Sequence, residues 1–216
     1  MMRKTVIWFD ADGVLLDFYT PFKEFCGVNP DFAGKYYDMR DVAEVPGGTL
    51  DIAFCIDEFI DTEKYSNLAA LTGALNLHML QNMGFELRVL TQCPVHARQS
   101  RIRNLTQKFG DSFAGIHFTD RGECKLQALA RLTQDMLDKH HILVEDNPDT
   151  LMKAFEYTEG NIYETFKYKL TPVCIKHSYN VHELEDAGYN EHDIIMCDSV
   201  KDFTEVLIRG ITCRQQ

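Results

Sequence analysis

A chain of 216 residues, 45% hydrophobic and 25% charged, is sized for one globular domain, or one domain with a modest insertion, and is neither disordered nor fibrous in composition. Its 22 Lys and Arg stand against 33 Asp and Glu, a formal charge of −11, so a nucleic-acid polymer, whose phosphates demand a basic stripe, is not an expected partner. No apolar stretch reaches the roughly 18 residues of a membrane span, and the apolar run after Met1-Met2-Arg3-Lys4 is too short for a signal segment; a cytoplasmic protein without a membrane partner is expected.

Residues 5–9, Thr-Val-Ile-Trp-Phe, form the first β-rich run and end at Asp10. Residues 18–66 then break the strand–helix rhythm. They hold ten aromatic residues and short helical stretches at 21–26 and 50–60, separated by turns at Gly27-Val28-Asn29-Pro30 and Pro46-Gly47-Gly48. This segment reads as a small helical cap inserted after the first strand, leaving 1–17 and 67–216 as the core. Leu68, Leu71, Leu75, Met79 and Met83, stopped by Gly84, predict a helix over 66–83.

A strand over 86–90 ends at Thr91, a helix over 94–109 stops at Gly110, and a short strand follows at 115–118. A helix over 125–137 precedes a strand over 141–144 that ends at Glu145-Asp146; His140-His141 reads as a loop pair, not a metal site. Asn147-Pro148 opens a helix over 148–157. A fifth strand at 172–175 and a helix over 202–208 close the pattern. This alternation predicts an α/β class with a doubly wound parallel sheet. Arg98, Arg101, Arg103 and Lys108 read as the solvated face of a helix. The seven cysteines, odd in number and without a Cys-x-x-Cys, read as free thiols, although Cys93 lies near a helix start where a thiol pKa can fall.

The chemistry gathers where the strands end. Asp10-Ala11-Asp12-Gly13 offers two carboxylates one residue apart on a sharp turn. The first can attack phosphorus and the second can exchange a proton with the leaving group and with water. Thr91 can hold a phosphoryl oxygen. Lys125 stands at a helix start, where the dipole disfavours a cation, which implies an anionic partner. Glu145 and Asp146 beside Asp10 and Asp12 would repel one another unless a hard cation such as Mg²⁺ joined them. A small phosphorylated substrate is therefore expected.

In this order, Asp10-Ala11-Asp12-Gly13-Val14, Thr91, Lys125 and Glu145-Asp146 resemble the four motifs of haloacid dehalogenase (HAD) superfamily phosphatases. The resemblance implies Asp10 as nucleophile, Asp12 as general acid and base, and Thr91 and Lys125 as phosphoryl ligands. It implies Mg²⁺ on Asp10, the Asp12 carbonyl and Asp146, with Glu145 behind them. Asp10 to Phe18 and the run Cys174-Ile-Lys-His-Ser-Tyr-Asn180 are similar to the 5'(3')-deoxyribonucleotidases, which implies a nucleoside monophosphate with Phe18 packing on the base. Gln92 and Asn147 fall near the substrate and depart from that family's residues. Sugar phosphates or phosphoamino acids are the alternative substrates, and a noncatalytic binding protein the alternative role. His177 lies on the same edge of the sheet.

Overall fold

The computed structural model describes residues 5–27, 42–45, 48–136, 138–159 and 170–212. Strand β1 (Thr5–Phe9) is followed by α1 (Tyr19–Cys26), a hairpin of β2 (Val42–Val45) and β3 (Gly48–Asp51), and then α2 (Ile52–Ile60), α3 (Glu63–Ser66) and α4 (Leu77–Asn82). From there strands and helices alternate: β4 (Glu86–Gln92), α5 (Arg98–Phe109), β5 (Gly115–Thr119), α6 (Lys125–Leu132), β6 (His140–Glu145) and α7 (Pro148–Glu159). The chain closes with β7 (Leu170–Ile175), α8 (Ser178–Asp186), β8 (Ile195–Cys197) and α9 (Val200–Thr212).

Six strands form one sheet in the order β5-β4-β1-β6-β7-β8, and every pairing is parallel. The chain runs outward from β1 through β4 to β5, then returns to β6 on the other side of β1. The connections diverge between β1 and β6, and such a divergence opens a crevice at the carboxyl ends of the strands. Asp10 and Glu145-Asp146 stand there.

Side chains alternate across β1, with Ile7 and Phe9 in one buried cluster and Val6 and Trp8 in another. The first cluster takes in Leu105 and Phe109 of α5 and Phe203 of α9; the second takes in Leu126 and Leu129 of α6 and Ala154 of α7. A strand covered on both faces reads as an unbroken apolar run, which is why Thr-Val-Ile-Trp-Phe carries no polar alternation. The first cluster also continues into Phe18, Phe22, Phe59 and Tyr65 of the inserted segment.

Several sequence expectations change. The insertion is not all helical, because β2 and β3 pair antiparallel from Val42↔Asp51 to Val45↔Gly48. Leu50 belongs to that hairpin, and α2 starts only after Asp51, whose carboxylate caps it by accepting from Phe54 N. The turn residues 28–30 and 46–47 lie outside the described residues, as do Leu137 and Cys213.

The helix expected over 66–83 is broken. Leu71 N donates to Leu15 O and Asp17 N to Ala69 O, so this stretch pairs with the loop after β1. Gly73 then turns at φ 98° against Lys201, where a Cβ would stand 2.7 Å from the Lys201 Cβ. The apolar spacing there reflects contacts to two neighbours, not one helical face. His140 and His141 lie within β6. His141 is a satisfied core histidine: Trp8 Nε1 donates to its Nδ1 at 3.1 Å, which leaves Nε2 to donate to Met136 O. The short strand β8 and helix α8 had no distinct apolar period. Among the described residues no helix is long and apolar enough to cross a membrane.

Candidate active site

β1 carries Asp10 to the crevice, where its backbone N–H still donates to Val144 O across the sheet. The chain then turns back on itself: Leu15 N and Leu16 N both donate to Ala11 O, and Gly13 N donates to Leu16 O. Gly13 takes φ 78°, and a Cβ there would stand 2.1 Å from Asp146 Oδ2. Glycine is required twice over, by conformation and by space. His177 braces the same turn, its Nε2 donating to Gly13 O at 2.8 Å.

Lys125, the first residue of α6, resolves its mismatch with the helix dipole through two carboxylates. Its Nζ lies 3.0 Å from Asp10 Oδ1 and 2.5 Å from Glu145 Oε2. The other oxygen of Glu145 accepts from the backbone N–H groups of Asp146 and Asn147, both at 3.1 Å. Glu145 is thus fully used in holding Lys125 and the strand end.

Asp146 is held on one side. The hydroxyls of Tyr19 and Tyr179 lie 2.6 Å apart and reach Asp146 Oδ2 at 3.0 and 2.6 Å. Asn180 Nδ2 donates to the Asp146 carbonyl at 2.9 Å.

Asp10, Glu145 and Asp146 are buried, and one oxygen from each lies within 4.8 Å of the others. Burial first, then the neighbouring carboxylates, pushes the carboxyls of Glu145 and Asp146 well above the usual range. Lys125 offsets part of this excess negative charge. An all-oxygen donor set with charge left over is the chemistry a hard divalent cation suits.

Asp12 stands apart from that cluster. Its carboxylate pairs with Arg101 of α5, whose Nη2 lies 2.9 Å from Oδ1 and 3.0 Å from Oδ2. Burial holds the Asp12 carboxyl up at about 6, with Arg101 pulling against it. The reading of Arg101 as part of a solvated helix face is therefore wrong, since it is 1% exposed; Arg103 and Lys108 do face solvent. Its register gave the signal, because Arg101, Leu105 and Phe109 lie four residues apart on the buried side of α5.

A cavity of about 460 Å³ opens over these groups, lined by Asp10, Asp12, Thr91, Lys125 and Asp146 at its floor. Phe18, Ile56, Ile60, Tyr65 and Pro94 give it an apolar wall, and Gln92, Asn147 and Lys153 a polar one. Arg121 and Asp57 face each other across it in an exposed ion pair of 2.9 Å that joins α2 to the loop before α6.

No protein-family model and no curated protein sequence matches the chain. Solved structures do. A haloacid dehalogenase-like hydrolase from Burkholderia xenovorans superposes with a TM-score of 0.54 at 16% identity, over 94% of this chain and 96% of its own. A haloacid dehalogenase-like family hydrolase from Streptococcus pneumoniae gives 0.56 at 15% identity, over 88% and 93%. The fold is that of the haloacid dehalogenase-like hydrolases.

Within this HAD-like fold the remaining expected residues have local duties. Phe18 is buried in an aromatic cluster, stacked on Phe22 at 5.3 Å and edge-on to Tyr19, Phe59 and Tyr65. Gln92 Nε2 donates to Asp120 O, and Asn147 Oδ1 caps α7 by accepting from Thr150 N. Cys93 is buried and touches the Tyr65 hydroxyl at 3.7 Å; burial raises its pKa, against the lowering expected near a helix start. His177 stacks on Tyr179 and does not line the cavity. Of the residues that complete the site, Tyr19 carries no signal of its own, Tyr179 lies in the run 174–180, and Arg101 shows only its buried register on α5.

Proposed function

We propose that this protein is a phosphomonoesterase working through an aspartyl-phosphate on Asp10, with Mg²⁺ as cofactor. The observation that carries the reading is Lys125, bridging Asp10 and Glu145 beside buried Asp146 at the switch point of the sheet. Asp10 attacks phosphorus as the ester P–O bond breaks, and Asp12 gives its proton to the departing alkoxide. Asp12 then takes a proton from water, whose oxygen attacks the same phosphorus and frees Asp10. An Asp12 carboxyl held up at about 6 can serve in both directions near neutral pH. Thr91 and Lys125 hold the phosphoryl oxygens. Mg²⁺, held by Asp10, Asp146 and the Asp12 carbonyl, would supply positive charge against the phosphoryl group.

The inserted segment, residues 18–66, acts in this reading as a cap that limits the cavity to small esters. Its apolar wall supports a flat leaving group, and a nucleoside monophosphate is the substrate class that fits best. Phosphate release should be measured with Mg²⁺ and with EDTA, against nucleoside monophosphates, sugar phosphates and phosphoamino acids. Asp10→Asn should abolish turnover; near wild-type turnover in that variant would sink the covalent mechanism. A sugar phosphate outperforming every nucleotide would leave the phosphatase and remove the nucleotidase.

A further inference from the structure

Arg101 is among the largest fully buried side chains of the molecule, and it carries a charge. A guanidinium in the interior is tolerated only when it is paired and its orientation fixed. Three neighbours fix this one. Nη2 donates to Asp12 Oδ2 at 3.0 Å and lies 2.9 Å from Oδ1, the ring of Tyr65 lies under the guanidinium carbon at 4.0 Å, and Asn104 Oδ1 accepts from Nη1 at 3.4 Å. Asn104 is itself anchored by donating to Leu68 O at 3.0 Å. Asp12 and Tyr65 line the cavity, whereas Arg101 does not.

The residue is thus placed to touch the proposed acid and base without touching a substrate. We infer that Arg101 is a positioning residue: it pins the Asp12 carboxylate at the cavity floor and ties it, through Tyr65, to the aromatic cluster of the inserted segment. The inference rests on the phosphatase reading above. A carboxylate on a tight turn has a freely rotating terminal bond; a buried guanidinium whose Nη2 donates to Asp12 Oδ2 and lies 2.9 Å from Oδ1 restricts that freedom. The proton donor then stays in place for the leaving oxygen. Tyr65 packs edge-on against Phe18 and Phe59, so a shift of the cap would be felt at Arg101 and through it at Asp12.

The test separates proton delivery from folding by the choice of leaving group. Arg101→Leu and Arg101→Lys are compared with wild type on an alkyl phosphate, which needs a proton at the leaving oxygen, and on p-nitrophenyl phosphate, which does not. For Arg101→Leu, kcat on the alkyl ester should fall by about 10²-fold, the scale of a misplaced catalytic group, with little change in KM. First-turnover release of p-nitrophenolate should fall far less. Arg101→Lys, which keeps the charge and loses the planar guanidinium held by Tyr65 and Asn104, should recover part of the alkyl-ester rate.

In an Asp12→Asn background, Arg101→Leu should slow the reaction no further, because Arg101 acts through Asp12. Thermal melts of all variants report the folded fraction. Equal losses on both esters that track that fraction, or losses that multiply in the double variant, would overturn the inference and leave the phosphatase standing. A wild-type protein inactive on both esters with Mg²⁺ would overturn both.

Discussion

Asp12 sits between opposing influences, burial raising its pKa and Arg101 lowering it. Removing its charge has two consequences that can be read separately. Asp12→Asn should slow turnover by roughly 10²- to 10⁴-fold, the usual contribution of a positioned acid and base. It should also destabilise the fold by about 2–3 kcal/mol in chemical denaturation, because Arg101 is left buried without its partner. That is below the ~3–5 kcal/mol of a fully enclosed pair, since the Asp12 side chain keeps 23% of its exposure. An unchanged rate would remove Asp12 from the chemistry. Gly13 is the other decisive residue. Gly13→Ala forces a side chain into the left-handed region and against Asp146 Oδ2, so it should cost about 1–3 kcal/mol. It should also raise the Mg²⁺ concentration needed for half-maximal phosphate release. A Mg²⁺ titration superposing on wild type would show that Asp146 tolerates the displacement.

At the scale of elements, the inserted segment is bound to the core by aromatic packing more than by charge. Phe18, Phe22, Phe59 and Tyr65 join the same cluster as Ile7 and Phe9, while Asp57 of α2 and Asp61, which caps its C-terminal end, make exposed pairs with Arg121 and His96 of the core. Exposed pairs contribute about 0–1 kcal/mol each, so the packing dominates. Phe18→Ala should therefore lower stability by about 3–5 kcal/mol, the range for emptying a buried aromatic site. Urea denaturation reads it directly. A loss below about 1 kcal/mol would mean that the ring is dispensable to the cluster and free to serve a substrate. The element boundaries follow similar logic. Strand β1 is legible because both its faces are buried, but α4 is not, because the leucine spacing before it arises from contacts with the loop after β1 and with α9.

For the whole molecule, the acidic crevice couples protons to folding, and the proposed cation would enter the same balance. The carboxyls of Glu145 and Asp146 are raised, by burial first, so the folded chain holds protons that the unfolded chain has released. A raised carboxyl favours the fold at low pH. That contribution is lost as pH climbs from the unfolded carboxyl value of about 4 through the raised folded values. The unfolded chain ionises freely there, while the folded chain must keep its protons until it carries the buried charge. A bound divalent cation displaces the same protons and relieves the same repulsion. The rise in Tm from EDTA to saturating Mg²⁺ should therefore grow between pH 5 and pH 8. His141 and His177, whose pKa values are lowered by burial, act in the opposite sense as pH falls through about 6.5. Comparing metal with EDTA at each pH removes their contribution. A Tm difference independent of pH would mean that protons and metal do not compete at this cluster.

The sequence by itself determined the parallel α/β sheet and the strand ends that carry Asp10, Thr91 and Glu145-Asp146, because buried strands and their polar termini are local patterns along the chain. It also marked Lys125 as needing an anion, because the helix-dipole mismatch is local too. Only the tertiary structure decided which charges meet. Arg101 joins Asp12 across 89 residues of sequence, Tyr19 and Tyr179 close on Asp146 from opposite ends of the chain, and His177 braces Gly13. Arg101 shares the buried period of α5, and His177 and Tyr179 lie in the run 174–180, but neither signal names a partner. Their partners are set by how α5 and α8 dock on the sheet, and docking is fixed by burial of whole faces, so the register of a charged residue can mark it as buried without telling which charge it meets.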